Sequence, residues 1–558
     1  MSNAEIAKVL LSLAQMLSVQ KENPFKIKAY RRAARAIANL SESIDELAST
    51  GADLTAIPGI GKGISGAIRE IVQSGGALQQ LEELKVTAGE QAVALNEYPL
   101  LDPKRVERIF KKLRISTVAE LKDRLERGEI GRQMGERIEQ HVRQGLSPST
   151  EMLLWDAHRV VPCIEEFLRA KCGAERVEAA GDYRRRVEVV QELSFVVQTE
   201  NLENVVELFQ RYGGRTTLIG ADGTTASFQI PTGVVVRLNK TTEELWGVSL
   251  LVATGSEKHL TKLFERGHDL TAVIVAQANC RTEEAVYRKL GLQPIPAELR
   301  EGRDEVELAE AKRLPELVKE SDICGELHAH TTSSDGAHTI EQMAAAAVQR
   351  GYKYLGITDH SQGLTIARGV SEADLRRQIQ YIDGLNEHNP NGIRILKSAE
   401  VDILADGSLD YPDTLLKELD YTVCSIHSKF SLNKTAQTER LMRAMDNRFF
   451  NILGHATGRR LMKRIGYEVD FERVLEHAKQ NGCFFEINSS PERLDISATN
   501  ARLVVRAGLK IAINTDAHAI REFDYMTIGV QQARRAGLEK TFILNCLPWS
   551  KLQRILKR

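Results

Sequence analysis

Residues 323–336 read ICGELHAHTTSSDG and join a short apolar run to two histidines and an aspartate. Six further apolar runs follow, separated by segments in which apolar residues recur at helical spacing, such as TIEQMAAAAVQRG. Alternation of strands and helices is typical of a parallel sheet, and seven such strands predict closure into a barrel. The other runs are YLGITDH (354–360), IRILKSAEV (393–401), YTVCSIHS (421–428), FNILGHA (450–456), CFFEINSS (483–490) and KIAINTDAH (510–518).

Histidines and acidic residues mark the ends of these predicted strands. Two pairs have two-residue spacing on one strand, which directs both side chains of a pair to the same face. Because the carboxyl ends of barrel strands meet at one rim, we expect all the candidates to converge there. The nine candidate ligands are His328, His330, Asp335, His360, Glu400, His427, His455, Asp516 and His518.

Imidazoles and carboxylates without thiolates favour Zn²⁺, Mn²⁺ or Fe²⁺ over Ca²⁺ or a structural zinc site. Nine ligands are too many for one ion, but they suffice for three divalent ions if one carboxylate bridges and water completes the coordination. His338, His388 and His477 fall outside the pattern, and we predict surface or structural roles for them.

The composition sets limits on the rest of the chain. Its 558 residues predict three or four domains, and a net charge of −1 gives no overall basic field, so any DNA binding must rest on local patches. Seven dispersed cysteines predict reduced thiols and a cytoplasmic location. No signal peptide or membrane-spanning run is evident, so no membrane partner is expected; protein partners are not indicated.

Two local patches near the N-terminus predict contact with a DNA backbone. IPGIGKG (57–63) has the glycine spacing of a helix-hairpin-helix, in which backbone N–H groups at a helix start meet a phosphate. A tight interhelical turn is the alternative for this motif, and a solvated helix face is the alternative for the neighbouring cations. The candidate DNA-binding residues are Gly59, Gly61, Lys62, Gly63, Lys26, Lys28, Arg31, Arg32 and Arg35.

The C-terminal motifs resemble those of the polymerase and histidinol phosphatase (PHP) family, in order and across residues 323–558. They are HAHTTSSDG, TDH, SAEVDIL, SIHS, GHATGR, EINSSPERLD and NTDAH. The resemblance implies a distorted (β/α)7 barrel that hydrolyses phosphate esters with up to three metals. It assigns the first ion to His328, His330, Glu400 and Asp516, the second to Glu400, His427 and His455, and the third to Asp335, His360 and His518.

Arg459 and Arg493 lie within two of these motifs and are candidate phosphate clamps, since a guanidinium matches phosphate oxygens bidentately. A surface or supporting ion pair is the alternative for either arginine.

Residues 1–320 resemble bacterial family X DNA polymerases, through AAGDYRRRVEVVQELSFVV, VVVRLNKTTEELWGVSLLVATGSEKHL and EEAVYRKLGLQPIPAELREG. Bacterial members of that family carry a C-terminal PHP domain. The resemblance implies a multidomain α/β chain with helical N-terminal domains and a nucleotidyltransferase-like α+β palm. The predicted segments are a helical DNA-binding domain (1–85), a helical fingers-like domain (86–148), a degenerate palm (149–235), a thumb-like region (236–300), a linker (301–322) and the PHP domain (323–558).

The polymerase-like half departs from that family where its chemistry resides. The three metal-binding aspartates correspond to Glu192, Ser194 and Val235, of which serine is a poor Mg²⁺ ligand and valine none. Asp182 replaces the serine that meets the nucleotide phosphates, and Ala67 replaces the lyase lysine. We therefore predict that templated polymerisation has been lost.

The leading hypothesis is a metal-dependent phosphoesterase acting on gapped, nicked or primer DNA ends, as a 3′–5′ exonuclease or 3′-end-processing enzyme in DNA repair. Three alternatives stay open at this point. They are a small-molecule phosphomonoesterase similar to histidinol phosphatases, a non-catalytic DNA-binding scaffold, and a residual DNA polymerase.

Overall fold

The computed structural model describes residues 1–20, 22–87, 98, 101, 103–146, 150–230, 232–270, 280–388 and 392–557. The chain forms two compact units, Met1–Gly302 and Arg303–Arg558. Parts of the predicted fingers-like and thumb-like segments, residues 88–97, 147–149 and 271–279, lie outside the described residues. The division of the first unit into smaller domains stays a prediction.

The first unit begins with helices around an aliphatic core that contains Ile6, Leu10, Ile37 and Ile68. Local signals start these helices: Ser2 and Glu5 form a capping box on the first helix. A second helical cluster follows. The helices are α1 (Asn3–Val19), α2 (Pro24–Ala38), α3 (Ile44–Ser49), α4 (Lys62–Gln73), α5 (Gln79–Thr87), α6 (Pro103–Leu113), α7 (Val118–Glu126), α8 (Glu129–Met134) and α9 (Glu136–Leu146).

The rest of the first unit is mixed α/β, as predicted for the palm. A five-stranded sheet has the order β2-β4-β7-β6-β5, in which only β4 and β7 are parallel, and β1 pairs with β3. The strands are β1 (Met152–Leu153), β2 (Arg176–Ala179), β3 (Val189–Val190), β4 (Glu192–Gln198), β5 (Thr217–Ala221), β6 (Thr225–Gln229) and β7 (Val235–Thr241). The helices are α10 (Leu154–Ala170), α11 (Gly181–Arg184), α12 (Leu202–Phe209), α13 (Trp246–Thr254), α14 (Glu257–Glu265) and α15 (Glu283–Lys289).

The second unit is the predicted seven-stranded parallel barrel, and its strands lie side by side in chain order. The strands are β8 (Gly325–Ala329), β9 (Tyr354–Ile357), β10 (Arg394–Asp402), β11 (Tyr421–Ser425), β12 (Ile452–Leu453), β13 (Phe484–Asn488) and β14 (Ile511–Asn514). Helices separate them and cover the outer face. These are α16 (Glu305–Glu310), α17 (Ile340–Gln349), α18 (Glu372–His388), α19 (Asp413–Leu416), α20 (Lys434–Met445), α21 (Phe471–Asn481), α22 (Ala498–Arg506), α23 (Met526–Arg535) and α24 (Trp549–Leu556).

The first and last strands of this barrel are joined by hydrogen bonds. The His330 N–H donates to the carbonyl of Ala517 at 2.9 Å. The buried carboxylate of Glu326 accepts from the backbone N–H and the hydroxyl of Thr515 at 3.0 and 2.7 Å, and burial raises its pKa to about 7. These contacts draw the two edges of the sheet together and leave the carboxyl ends of all seven strands at one rim.

The predicted linker contributes to the second unit through its own contacts. Asp304 forms an ion pair with Arg502 at 2.8 Å, and the Val318 N–H donates to the carbonyl of Leu538 at 2.9 Å. Residues 303–322 therefore pack on the barrel as part of that unit.

All seven cysteines are free thiols. Within the part of the chain that the structure describes, no helix combines the length and the apolar character needed to span a membrane.

A buried ion-pair network in the first unit predicts acid sensitivity. Glu283 is bound by Arg184 and Arg300 and, although burial raises its pKa, these cations lower it to about 2. A depressed folded-state pKa stabilises the fold above the unfolded value of about 4.5, and this stability is lost as pH falls towards 2. We expect Glu283→Gln to lower the free energy of unfolding by about 3 kcal/mol at pH 7.

The measurement is urea unfolding followed by the fluorescence of Trp155 and Trp246, in protein carrying Trp549→Phe. The difference between wild type and Glu283→Gln should shrink between pH 7 and pH 3. A difference that does not change with pH would show that the carboxylate charge is not the stabilising group.

Candidate metal centre

All nine sequence-predicted ligands lie at the carboxyl-terminal rim of the barrel. Six are buried, the His427 side chain is 12% exposed, and those of Asp335 and His518 are each about a third exposed. His328, on β8, and Glu400, on β10, are within strands, and the others follow strand ends or lie in the loop after β8. The alternation of side chains along each strand places the strand-borne ligands on the inner face.

The first predicted ligand set forms one tight cluster. His328, His330, Glu400 and Asp516 are buried, and their donor atoms lie within 4.8 Å of one another. His328 Nε2 lies 3.4 Å from Glu400 Oε2 and 3.5 Å from Asp516 Oδ1, and His330 Nε2 lies 3.1 Å from the same aspartate oxygen. Two imidazoles and two carboxylates at these separations can surround a single divalent ion.

The other oxygen of Glu400 faces a second group of histidines. Glu400 Oε1 lies 2.9 Å from His455 Nε2 and 3.4 Å from His427 Nε2. His360 approaches from a third side, with Nδ1 2.9 Å from Glu400 Oε2, and it forms a compact group with Glu400 and His427. The two oxygens of one carboxylate thus face different histidines, as a bridging ligand requires.

The third group lies nearest to the solvent. His330, Asp335, His360 and His518 offer donor atoms within 4.8 Å of one another. His518 Nε2 lies 3.3 Å from Asp335 Oδ1, and His360 Nε2 lies 3.6 Å from the same oxygen. His330 and His360 therefore each belong to two groups, which the sequence does not indicate.

Charge compensation between histidines and carboxylates dominates the electrostatics of the cluster. Burial raises the pKa of Glu400, but His360, His328 and His427 more than offset this and hold it well below its ordinary value. Conversely, burial lowers the pKa of His427, but Glu400 and Asp402 outweigh it and raise that pKa to about 9.

Burial and the neighbouring His518 and His360 lower the pKa of His330 to about 4. Adjacent imidazoles in this cluster thus have opposite tendencies to hold a proton. A bound divalent cation would replace the protons that now neutralise the carboxylates.

Unpartnered ring nitrogens provide a test of whether these residues fit metal ions. His328 Nε2 and His427 Nε2 are buried and make no hydrogen bond to any described residue. An unsatisfied buried nitrogen is costly unless something fills the position, and a divalent cation would do so. The donor set and these nitrogens therefore fit divalent-ion binding.

Two buried carboxylates contact the ring nitrogens of candidate ligands on the side away from the cluster. The sequence does not predict them. Glu486 Oε1 lies 2.6 Å from His328 Nδ1, and its Oε2 accepts from the backbone N–H of His455 at 2.9 Å. Asp402 Oδ1 lies 3.2 Å from His427 Nδ1. Carboxylates of this kind fix which ring nitrogen is left for a metal. The available signal was an acidic residue within an apolar strand sequence, CFFEINSS.

The two candidate phosphate clamps differ in their surroundings. Arg459 donates to the backbone carbonyls of Arg493 and Leu494, so its guanidinium braces a neighbouring loop. Arg493 Nε lies 3.5 Å from Asp516 Oδ2, beside the first ligand group, and its side chain is 22% exposed. Of the two, Arg493 is the better placed to meet a phosphate oxygen at the cluster.

The residues predicted to stand at the polymerase aspartate positions lie on the neighbouring strands β4 and β7. Glu192 is opposite Val235 in the β4–β7 register and forms a two-pronged ion pair with Arg237 at 2.8 and 3.0 Å. Ser194 accepts from the Asn239 amide at 3.0 Å.

The two other positions predicted to depart from the polymerase pattern have different surroundings. Asp182 pairs with Arg185 at 2.5 Å. Ala67, at the position predicted for the lyase lysine, is buried in the N-terminal core.

The helix-hairpin-helix residues lie beside the basic helix, as the sequence indicates. Gly59 has φ +97°, a left-handed conformation that favours glycine, and a Cβ added there would lie 3.5 Å from Arg32 Cγ. Gly61 is the N-cap residue of α4 and has no side chain to cap it, so the first N–H groups of that helix are available to an anion. Lys62 and Gly63 form its first turn. The five cations Lys26, Lys28, Arg31, Arg32 and Arg35 are all exposed on α2.

Known protein families match segments of both units. The helix-hairpin-helix domain family matches residues 1–77, and the PHP domain family matches residues 326–490. The chain is 33% identical over 578 aligned residues to a Bacillus subtilis protein named DNA polymerase/3′-5′ exonuclease PolX, covering 100% of both chains. It is 30% identical over 231 residues to a probable phosphatase of Thermoanaerobacter sp., covering 39% of this chain and 88% of that one. A probable phosphatase of Clostridium acetobutylicum is 31% identical over 206 residues, 35% of this chain and 78% of that one.

A parallel barrel with clustered histidines and carboxylates at its rim, matched by the PHP family, defines a hydrolase of the phosphoesterase class. The full-length likeness then identifies the whole chain. It belongs to the bacterial family X DNA polymerases that carry a C-terminal PHP domain.

The contact between Glu486 and His328 predicts a loss of metal affinity on substitution. Glu486→Gln keeps the shape but removes the charge that holds His328 Nδ1, so we expect metal affinity to fall 10- to 100-fold, about the usual effect of such partners. Competition with a chromogenic chelator and elemental analysis of the bound metal measure the change.

Asp446→Asn is the matched control for this experiment. Asp446 lies 2.8 Å from His477 Nε2, a carboxylate–histidine pair outside the cluster. Equal metal affinities in wild type and Glu486→Gln would mean that Glu486 does not position His328 for a metal.

Proposed function

We propose that the C-terminal barrel hydrolyses phosphodiester bonds at DNA 3′ ends, as a 3′–5′ exonuclease or 3′-end-processing enzyme. The observation that carries this proposal is the nine-residue cluster in which Glu400 faces two different sets of histidines. The name of the full-length Bacillus subtilis relative supports it. We further propose that the cluster holds three divalent ions, drawn from Mn²⁺, Zn²⁺ and Fe²⁺.

The proposed ligand sets are those that the PHP resemblance implies; the first coincides with one of the compact groups, and the other two differ from the compact groups in the placement of His330, His360 and His455. His328, His330, Glu400 and Asp516 would hold one ion, Glu400, His427 and His455 the second, and Asp335, His360 and His518 the third. When bound, the ions supply an activated water and neutralise phosphate oxygens.

The chain's own residues supply orientation and a low-dielectric setting. Glu400 and Asp516 are buried carboxylates that balance the positive charge of bound cations. Glu486 and Asp402 orient His328 and His427, while Arg493 offers N–H donors beside the cluster for a non-bridging phosphate oxygen. The more exposed Asp335 and His518 mark the side from which a substrate enters.

The N-terminal unit supports DNA as the substrate. The uncapped start of α4 and the five exposed cations of α2 lie together, because Arg32 packs beside Gly59 of the hairpin. Such a face binds phosphates without reading sequence. A small phosphomonoester would make no use of it.

The palm supports the loss of templated polymerisation. Two Mg²⁺ ions need several free carboxylate oxygens, yet Glu192 is paired with Arg237, Asp182 is paired with Arg185, and Val235 has none. Rebuilding a metal site would require breaking these ion pairs.

Hydrolysis is tested with a 5′-labelled primer in the presence of Mn²⁺. We expect wild type to shorten the primer stepwise, and His328→Ala and Asp516→Ala to lose about 100- to 1,000-fold in rate, as is typical of removing an essential electrostatic group. His388→Ala is the control, since His388 is an exposed histidine on α18 outside the cluster. Unchanged primer with metal-loaded wild type would refute DNA-end hydrolysis.

The names of the phosphatase relatives favour a second candidate, a small-molecule phosphomonoesterase. The ratio of kcat/KM on the primer to kcat/KM on p-nitrophenyl phosphate separates the two. A higher value on the small ester would favour the second candidate.

Polymerisation is tested on gapped DNA with all four dNTPs and Mg²⁺ or Mn²⁺. To keep hydrolysis from hiding extension, the protein carries Asp516→Ala. We expect no extension, because the palm offers too few free carboxylates for two metals. Extension above the no-enzyme background would show that the palm still catalyses nucleotide transfer.

A further inference from the structure

The loop that follows His455 is strongly basic. Residues 456–467, which we call the basic loop, read ATGRRLMKRIGY and contain four cations and no acidic residue. The whole chain, in contrast, has a net charge of −1. The loop begins next to a proposed metal ligand, so its charge is concentrated at the rim where the cluster lies.

Two of the four cations fix the shape of the basic loop from within. Arg459 Nε donates to the carbonyl of Arg493 at 3.0 Å. Arg464 Nε donates to the carbonyl of Gly458 at 3.0 Å, and its guanidinium lies over the ring of Phe430 at 4.1 Å. The loop is therefore held against the segments that follow β11 and β13, which lowers the entropy lost when it binds a ligand.

The other two cations point outward and share one acid. Arg460 and Lys463 are about half exposed, 47% and 54%, and both form ion pairs with Glu492. Two cations against one carboxylate leave a net positive charge. Glu492 precedes Arg493, whose guanidinium reaches to 3.5 Å from Asp516, so cations extend from the cluster to the outer rim.

We propose that the basic loop is the binding track for the strand being cleaved, with Arg460 and Lys463 contacting backbone phosphates upstream of the scissile one. This inference rests on the proposed function and adds the residues that separate a polynucleotide from a small phosphate ester. A guanidinium and an ammonium bind phosphate oxygens whatever the base sequence. Ile465, 75% exposed on the same loop, offers an apolar surface to a sugar or base of that strand.

The basic loop lies beside the cluster but contributes no metal ligand, so its cations are available to a longer substrate. A small ester has one phosphate, which the metals and Arg493 would bind. It has no second phosphate that Arg460 or Lys463 could contact. A strand of several nucleotides has additional phosphates. Each upstream phosphate bound by the loop should lower KM until the track is filled, so KM should fall with oligonucleotide length over the first few nucleotides.

The test compares Arg460→Ala/Lys463→Ala with wild type on 5′-labelled oligothymidylates of two to eight nucleotides and on bis(p-nitrophenyl) phosphate, a small diester. We expect kcat/KM on the octamer to fall about tenfold or more, mainly through KM, while kcat/KM on the small diester stays within about twofold. The slope of log kcat/KM against log salt should become shallower by about 1.4, since a single-strand phosphate contact contributes roughly 0.7.

The matched control is Arg376→Ala/Arg377→Ala on α18. These two arginines are also exposed and paired with acids, but they lie on a helix on the outside of the barrel. We expect this control to act as wild type on both substrates. The charge-conserving exchange Arg460→Lys/Lys463→Arg should retain most of the activity on the octamer.

Each outcome decides a specific point. Equal losses on the octamer and the small diester would overturn the proposal, because the basic loop would then support the metal centre itself. An unchanged octamer rate would overturn it as well. Hydrolysis of the small diester by wild type without any cleavage of oligonucleotides would instead reject the proposed function, and with it the need for a strand track.

Discussion

The second unit depends on keeping buried carboxylates charged within a barrel of apolar strands. Glu400 and Asp516 are almost fully removed from water, and isolated carboxylates in that position would take up protons. Burial alone would raise the pKa of both groups, but the surrounding imidazoles outweigh it and hold each pKa well below its ordinary value. Charge balance also works in the other direction. Carboxylates raise the pKa of His427, and the carboxylate of Glu486 contacts His328 Nδ1. A cluster of this kind is stable only when cations, as protons or metals, are shared among its members.

Much of this arrangement is predictable from the sequence, for physical reasons. Strand periodicity directs His328 and His330 to one face, and the barrel brings strand ends to one rim, so convergence of the nine residues follows from their positions. The division into groups does not follow, because His330 and His360 each belong to two groups through side-chain directions that only the folded barrel sets. Glu486 has no spacing signature, since a single acid in an apolar strand has several explanations.

For several polar residues the sequence predicts the position but not the contacts that the side chain makes. The sequence predicts that Glu192 and Asp182 depart from the polymerase pattern, but it does not predict that they pair with Arg237 and Arg185. Likewise, a motif such as GHATGR cannot tell that Arg459 turns towards backbone carbonyls. Long, flexible guanidinium side chains can reach several partners, so their final contacts depend on the loops around them.

The bond between Glu326 and Thr515 has a consequence for the making of the protein. These residues are separated by 189 positions, and His328 and Glu486 by 158. At ribosomal rates of about 5–20 residues per second, the first strand waits roughly 10–40 seconds for the last one to be synthesised. During that interval the histidines of β8 lack the partners that complete the cluster. Metal loading therefore belongs to the end of biosynthesis, after the barrel has closed.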